Sequence, residues 1–192
     1  MNAGRPSPAL VGGVAVLERA IAYALGSLAL VTPAALGRPT PCSAWNLRHL
    51  LEHLHDAMAA LQEGAETGRV SFVPVPAGDD VLSLVRDRAA QLLGAWANAD
   101  GAALVWVHGQ PVTAPLMAGA GAIEVAVHGW DIAAACGQHR PIPDDLADEL
   151  LDLSAVLIRD RDRPGRFGPP VRVPPDAPPD VRLLGFLGRD PL

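Results

Sequence analysis

Apolar residues recur at intervals of three and four along most of the first 160 positions, a spacing that restricts the chain to a packing of helices. Val14, Leu17, Ile21, Leu25 and Leu28 mark one face of a first helix over about 9–31, ended by Pro33 and Gly37. A second follows Asn46, whose side-chain oxygen can accept from backbone N–H groups one turn on, and runs from 47 to about 63, stopping near Gly64. Trp45 and Leu50 are spaced to form a hydrophobic staple across that start. A third helix over about 79–97 carries Val81, Val85, Leu92 and Trp96 on one face. Residues 103–109 (ALVWVHG) read as a short extended segment, and Gln110 to Pro115 as a turn. A fourth helix over about 116–136 ends before Gly137, and a fifth over about 144–159 carries Leu146, Leu150, Leu153 and Leu157. Beyond Arg159 the proline content forbids a long helix, so an extended arm is expected, with VRLLGFLG docking as an apolar tail. The expected fold is all-α: a four-helix bundle with a fifth helix and a Pro-rich C-terminal arm over 160–192, with residues 1–192 forming one domain.

Several function classes are excluded at this level. The chain has 15 basic and 21 acidic residues, a net charge of -6, so a nucleic-acid partner is not expected. Every basic residue is Arg, and without Lys there is no GxxxxGK[ST] phosphate loop, no Lys Schiff base and no pyridoxal-phosphate anchor. A GxSxG nucleophile elbow is also missing. Residues 20–37 are uncharged, but Gly26, Ser27, Thr32 and Pro33 interrupt them; a buried helix is expected there, and no membrane partner. The opening MNAGRPSPAL has no apolar run of a secretory leader, and Cys42 and Cys136 form no CxxC, so the expected location is cytoplasmic with reduced thiols. Cys42 lies near the start of the second helix, where the helix dipole favours thiolate, although an inert thiol is the default.

The residues that carry chemistry fall on two helices. Glu124 and His128, in IEVAVHGWD, are spaced i, i+4 and leave the same face one turn apart. His53 on the second helix can face them and complete three ligands in a bundle interior. Two imidazoles and a carboxylate suit a divalent first-row ion, Zn²⁺ first, and leave one position open for water or substrate. Ile123, Val125, Ala126 and Val127 surround Glu124 with apolar groups, so its charge needs a partner. His49, one turn before His53, is open to three readings: a fourth ligand, a general base, or a residue of the capped first turn. Arg48, Asp56 and Asp131 are candidates to orient ligands from behind. His55 is expected to point away into solvent, His108 to sit in a turn without a role, and His139 to be exposed.

Three segments, TPCSAW-NLRHLLEHL, EVAVHGWDIAAACGQ and RFGPPVRVPPDAPPDVRLLGFLGRDP, resemble the mycothiol-dependent maleylpyruvate isomerase-like proteins of the DinB-like metalloenzyme superfamily. The resemblance spans most of the chain. It implies a DinB-like four-helix bundle with a His53, Glu124 and His128 site for a divalent metal, most often zinc, with nickel, iron or manganese as alternatives. It also implies a small-molecule substrate, a low-molecular-weight thiol (mycothiol) and a homodimer. The sequence departs from its relatives at His49, where they carry an acid, and in having only a short arm where the characterised isomerases have a further domain. The implied chemistry is activation of the thiol for isomerisation of, or transfer to, an electrophilic small molecule, with Arg48 binding an anionic group and His49 moving the proton. A metal-dependent hydrolase using bound water, and a non-catalytic metal- or ligand-binding module, stay open beside it. A fourth protein ligand would favour the module; an open position facing a deep pocket would favour the enzyme.

Overall fold

The computed structural model describes residues 12–42, 45–71, 73, 78, 80–97, 104–163 and 167–191. Along them run α1 (Gly13–Leu28), α2 (Leu47–Thr67), β1 (Arg69–Val70), α3 (Val81–Ala97), β2 (Leu104–Val107), β3 (Gln110–Thr113), α4 (Ala114–Ala135), α5 (Asp144–Leu157) and α6 (Pro179–Phe186). Short 3-10 turns lie at Pro33–Ala35 and Asp160–Asp162.

Helix α4 is apolar on nearly every face and is therefore the buried centre of the bundle. It packs on α1 and α2, while α3 packs on both α1 and α2 and closes a four-helix arrangement. The other helices are amphipathic. Thus α1 turns Val16, Leu17, Ile21 and Leu28 inward, and α2 turns Leu47, Leu50, Leu51, Leu54 and Met58 inward. The α1–α4 crossing is close because Gly129 has no side chain: a Cβ there would stand 3.1 Å from both the Ala24 backbone and the Tyr23 ring. No helix among the described residues is long and apolar enough to cross a membrane.

The ends of the helices follow local chemistry. Asn46 caps α2 as expected, its Oδ1 accepting from the His49 N–H at 3.0 Å. That helix does not stop near Gly64; it continues to Thr67 and ends at Gly68, which takes the left-handed φ of 69°. Gly64 is instead a packing residue, since a Cβ there would meet Met117 Cε at 2.6 Å and Val105 Cγ1 at 3.1 Å. At the end of α4, Gly137 adopts φ 74°. The N–H groups of Gly137 and Gln138 then close on the Ala134 and Ala133 carbonyls at 2.9 Å each, a Schellman stop.

Two expectations are corrected by backbone geometry. Residues 110–113 are a strand, not part of a turn. His108 and Gly109 both have positive φ (49° and 75°), so two residues already reverse the chain and β3 pairs back on β2 with Val107 opposite Gln110. Helix α4 then starts at Ala114, with Pro115 in its first turn where a missing N–H costs nothing. With β1 added in parallel to β2, a small three-stranded sheet joins the helical fold. The second correction is the C-terminal tail, which is helical: α6 starts at Pro179, buries Leu183 and Leu184 and packs on α5, with Leu187 buried just past its end. Arg163 pins the preceding arm by donating to the Phe186 carbonyl at 3.0 Å and lying 4.7 Å over the Phe186 ring.

Two outcomes follow from this packing. Gly129→Val should lower folding stability by about 1–3 kcal/mol, read from the urea midpoint, because the Ala24 backbone cannot retreat; an unchanged midpoint would contradict the crossing described. Tyr23, the single tyrosine, donates to the Arg140 carbonyl at 2.6 Å. Burial pushes its pKa up to about 12, outweighing the lowering effect of the Arg140 cation. The folded state therefore holds the phenolic proton more tightly, and stability that is intact below pH 10 should be lost as pH rises through 12. The ultraviolet tyrosinate absorbance of the folded protein should accordingly rise near pH 12; a midpoint at 10 would contradict this environment.

Candidate metal centre

The one-turn offset along α4 sends Glu124 and His128 off the same face, and α2 brings His53 opposite them. His53 Nε2 lies 2.5 Å from Glu124 Oε1, and His128 Nε2 lies 3.0 Å from the same oxygen. The three ligand atoms lie within 4.8 Å of one another. At zinc–ligand distances of about 2.0–2.2 Å, neighbouring ligands of a tetrahedral ion stand about 3.4 Å apart. The group fits after a small outward shift of His53, whose side chain is 37% exposed, against 6% for His128.

Behind the ligands stands a buried ion pair. His128 Nδ1 is 2.9 Å from Asp131 Oδ2, and Asp131 is fully buried. Arg189, beyond α6, reaches back to the same carboxylate with Nη2 at 2.9 Å and Nε at 3.4 Å. In front, Trp45 lays its ring 4.5 Å from that of His53 and 6.1 Å from that of His128. The indole expected to staple onto Leu50 thus borders the ligands.

Burial disfavours charge on each of these groups, and their mutual attraction overrides it. Glu124 is pushed up by burial but held well below the usual carboxylate range by the charge of His128 and by hydrogen bonds with His128 and His53. Asp131 behaves alike: burial raises its pKa, but the His128 hydrogen bond and the Arg189 charge together lower it by more. For His128 burial lowers the pKa, but the Glu124 charge and the Asp131 hydrogen bond raise it to about 9.

Trp45, His53, Glu124 and His128 form part of the wall of a cavity of about 790 Å³. The rest is largely apolar, from Val107, Ile123, Val127, Leu157, Ile158 and Phe167, with Cys42, His108, Arg159 and Arg189 as further polar groups. Arg48 and His49 do not line it: His49 is exposed, and Arg48 is half-buried with Glu52 at 3.4 Å. Of the candidates for orienting ligands, Asp131 touches His128, whereas Asp56 lies 3.5 Å from His55. His55 is not solvated but 2% exposed, because its spacing from Leu51 and Met58 puts it in the apolar stripe of α2. His139 is exposed as expected. The helix dipole does not activate Cys42; burial pushes its thiol up more than Arg189 pulls it down. Arg189 was not identified by pattern, since no periodicity connects it with Asp131.

The family profile described as the mycothiol maleylpyruvate isomerase N-terminal domain matches residues 17–133. Uncharacterized proteins from two strains of Mycobacterium tuberculosis are each 32% identical over 168 residues, 84% of this chain and 89% of the relative. Crystal structures of the mycothiol-dependent maleylpyruvate isomerase and of a variant with one histidine changed to alanine superpose with TM-scores of 0.59 and 0.60. Both are 20% identical and cover 76% of this chain and 68% of theirs, a likeness of fold.

A pH response tests the electrostatics of the centre. In protein stripped of divalent ions, the His128 pKa is raised from 6.5 to about 9, so its charged form stabilises the fold fully below 6.5 and this is lost as pH rises through 9. Glu124→Gln removes the strongest raising influence and should flatten the urea midpoint across that window. An equally steep dependence in the variant would contradict the coupling.

Proposed function

Because the chain belongs to the mycothiol maleylpyruvate isomerase N-terminal domain family, we propose that it is a metal-dependent enzyme acting with a low-molecular-weight thiol of the mycothiol type. The observation that carries this reading is the placement of His53, Glu124 and His128 together on the wall of a large, mostly apolar cavity. Among the described residues no fourth Cys, His or carboxylate joins their cluster, which favours an open coordination position over a filled, non-catalytic one.

His53, Glu124 and His128 would hold the ion, and the nitrogen-rich donor set favours zinc, with nickel, iron or manganese as alternatives. A divalent ion there supplies positive charge that lowers the pKa of a thiol, making thiolate available at neutral pH. Asp131 keeps the His128 Nδ1 engaged, so that Nε2 faces Glu124. Trp45 packs beside the ligand rings and gives that side of the centre an apolar border. Arg159 gives the cavity wall a cation suited to an anionic group on the ligand. Arg48 and His49 lie on α2 outside the wall, and roles for them are reserved for ligand parts that extend past it.

The reaction class is addition of thiolate to the activated double bond of an unsaturated acid or similar electrophile. Rotation about the carbon–carbon bond that was double, followed by return of the adduct's carbanion electron pair to that bond as the C–S bond breaks, gives back the thiolate and changes only the double-bond geometry. If the adduct takes up a proton instead, the outcome is thiol transfer. A soluble, cytoplasmic homodimer is the assembly and location proposed with this reading.

Purified protein should carry about one equivalent of zinc per chain by elemental analysis and should turn over an unsaturated acid only when thiol is supplied. Partners behind metal ligands are themselves worth about 10–100-fold in affinity, so His53→Ala or His128→Ala should weaken zinc binding by more than ~100-fold and abolish turnover. A well-folded protein without affinity for zinc would end this reading. Thiol-independent hydrolysis would keep the metal and replace the reaction.

A further inference from the structure

The C-terminal arm reaches the metal centre through one side chain. From its geometry we infer that Arg189 is a positioning residue for the ligand His128, acting through Asp131. This rests on the metal reading above.

Three buried groups are linked in series. His128 Nδ1 stands 2.9 Å from Asp131 Oδ2, and Arg189 Nη2 stands 2.9 Å from that same oxygen, with Nε 3.4 Å from Oδ1. Their residues are 4%, 0% and 9% exposed, so each relies on its protein partners for hydrogen bonds. An isolated carboxylate at Asp131 would be free to rotate. The two-pronged guanidinium fixes its plane. That carboxylate then accepts from His128 Nδ1–H, which sets the tautomer and leaves the Nε2 lone pair for an ion.

Arg189 is itself held from its own segment. Leu187 beside it is fully buried, and Gly188 turns the chain with φ 81°. The Arg189 N–H closes on the Leu184 carbonyl at 2.9 Å, and its Nη1 donates to the Leu187 carbonyl at 3.1 Å. The guanidinium is therefore set by the docking of α6, and the arm contributes to the donor geometry of a centre whose three ligands all lie on α2 and α4. Arg163 and Arg182 also tie the arm down, but their partners are the Phe186 carbonyl and Asp148, not the site.

The test compares zinc affinity, by competition with a chromogenic chelator, in full-length wild type, Arg189→Met, Arg189→Lys and Arg182→Met. Arg189→Met should weaken zinc binding by about 10–100-fold, and Arg189→Lys, which keeps the charge without the fork, should recover part of that loss. Arg182→Met removes an anchor of the same helix and should leave zinc affinity at the wild-type value. Circular dichroism of the zinc-free proteins separates this from unfolding. If Arg189→Met does not fold, Arg189→Lys decides: weaker zinc binding by a folded protein supports the assignment. A folded Arg189 variant binding within about 2-fold of wild type overturns it, as does an equal loss in Arg182→Met. Wild type that takes up no zinc contradicts the metal reading itself, and this inference with it.

Discussion

A single carboxylate between two imidazoles organises this molecule. Glu124 projects from the most apolar helix of the fold into a cavity that Ile123 and Val127 also line, where its half-buried charge needs a partner. Its partners are one turn along the same helix and across on α2, so α2 and α4 have to pack in one register for the charge to be met. The same demand is passed outward, because His128 drawn toward Glu124 is also held from behind by Asp131, and Asp131 by Arg189. Charge alternates along this line, Glu124, His128, Asp131, Arg189, and each member stabilises the ionised form of the next.

This chain of contacts ties residues 167–191 to the bundle although their sequence is rich in proline. Prolines at 178 and 179 exclude helix before them and preset the first turn of α6. The buried leucines of α6 then place the turn at Gly188 and aim Arg189 inward. The arm packs by hydrophobic contact on α5 and ends in a polar contact within the bundle, which couples its docking to the geometry of the centre.

Much of the helical core was legible because it is periodic: the apolar stripes of α1, α2, α3 and α5 and the cap at Asn46 are local signals, and the i, i+4 spacing of Glu124 and His128 fixes their shared face without any tertiary information. What escaped is what depends on other parts of the chain. Gly64 looks like a helix stop until Met117 and Val105 are seen pressing on it. His55 looks like a polar residue for solvent until the stripe of α2 is counted through Leu51 and Met58. The His108–Gly109 reversal uses a pair that is not among the usual hairpin dipeptides, and so β3 was hidden in an apparent loop. Arg189 is 58 residues from Asp131, and only the path of the arm brings them together.

The claim on which all else turns is that one ion touches two imidazoles and a carboxylate at the cavity wall. Anomalous diffraction at the zinc edge from zinc-soaked crystals tests it most directly. One strong peak is expected about 2.0–2.2 Å from His53 Nε2, His128 Nε2 and a Glu124 carboxylate oxygen, with a further position facing the cavity. A peak elsewhere, or none while the Glu124 hydrogen bonds to both histidines persist, would contradict it.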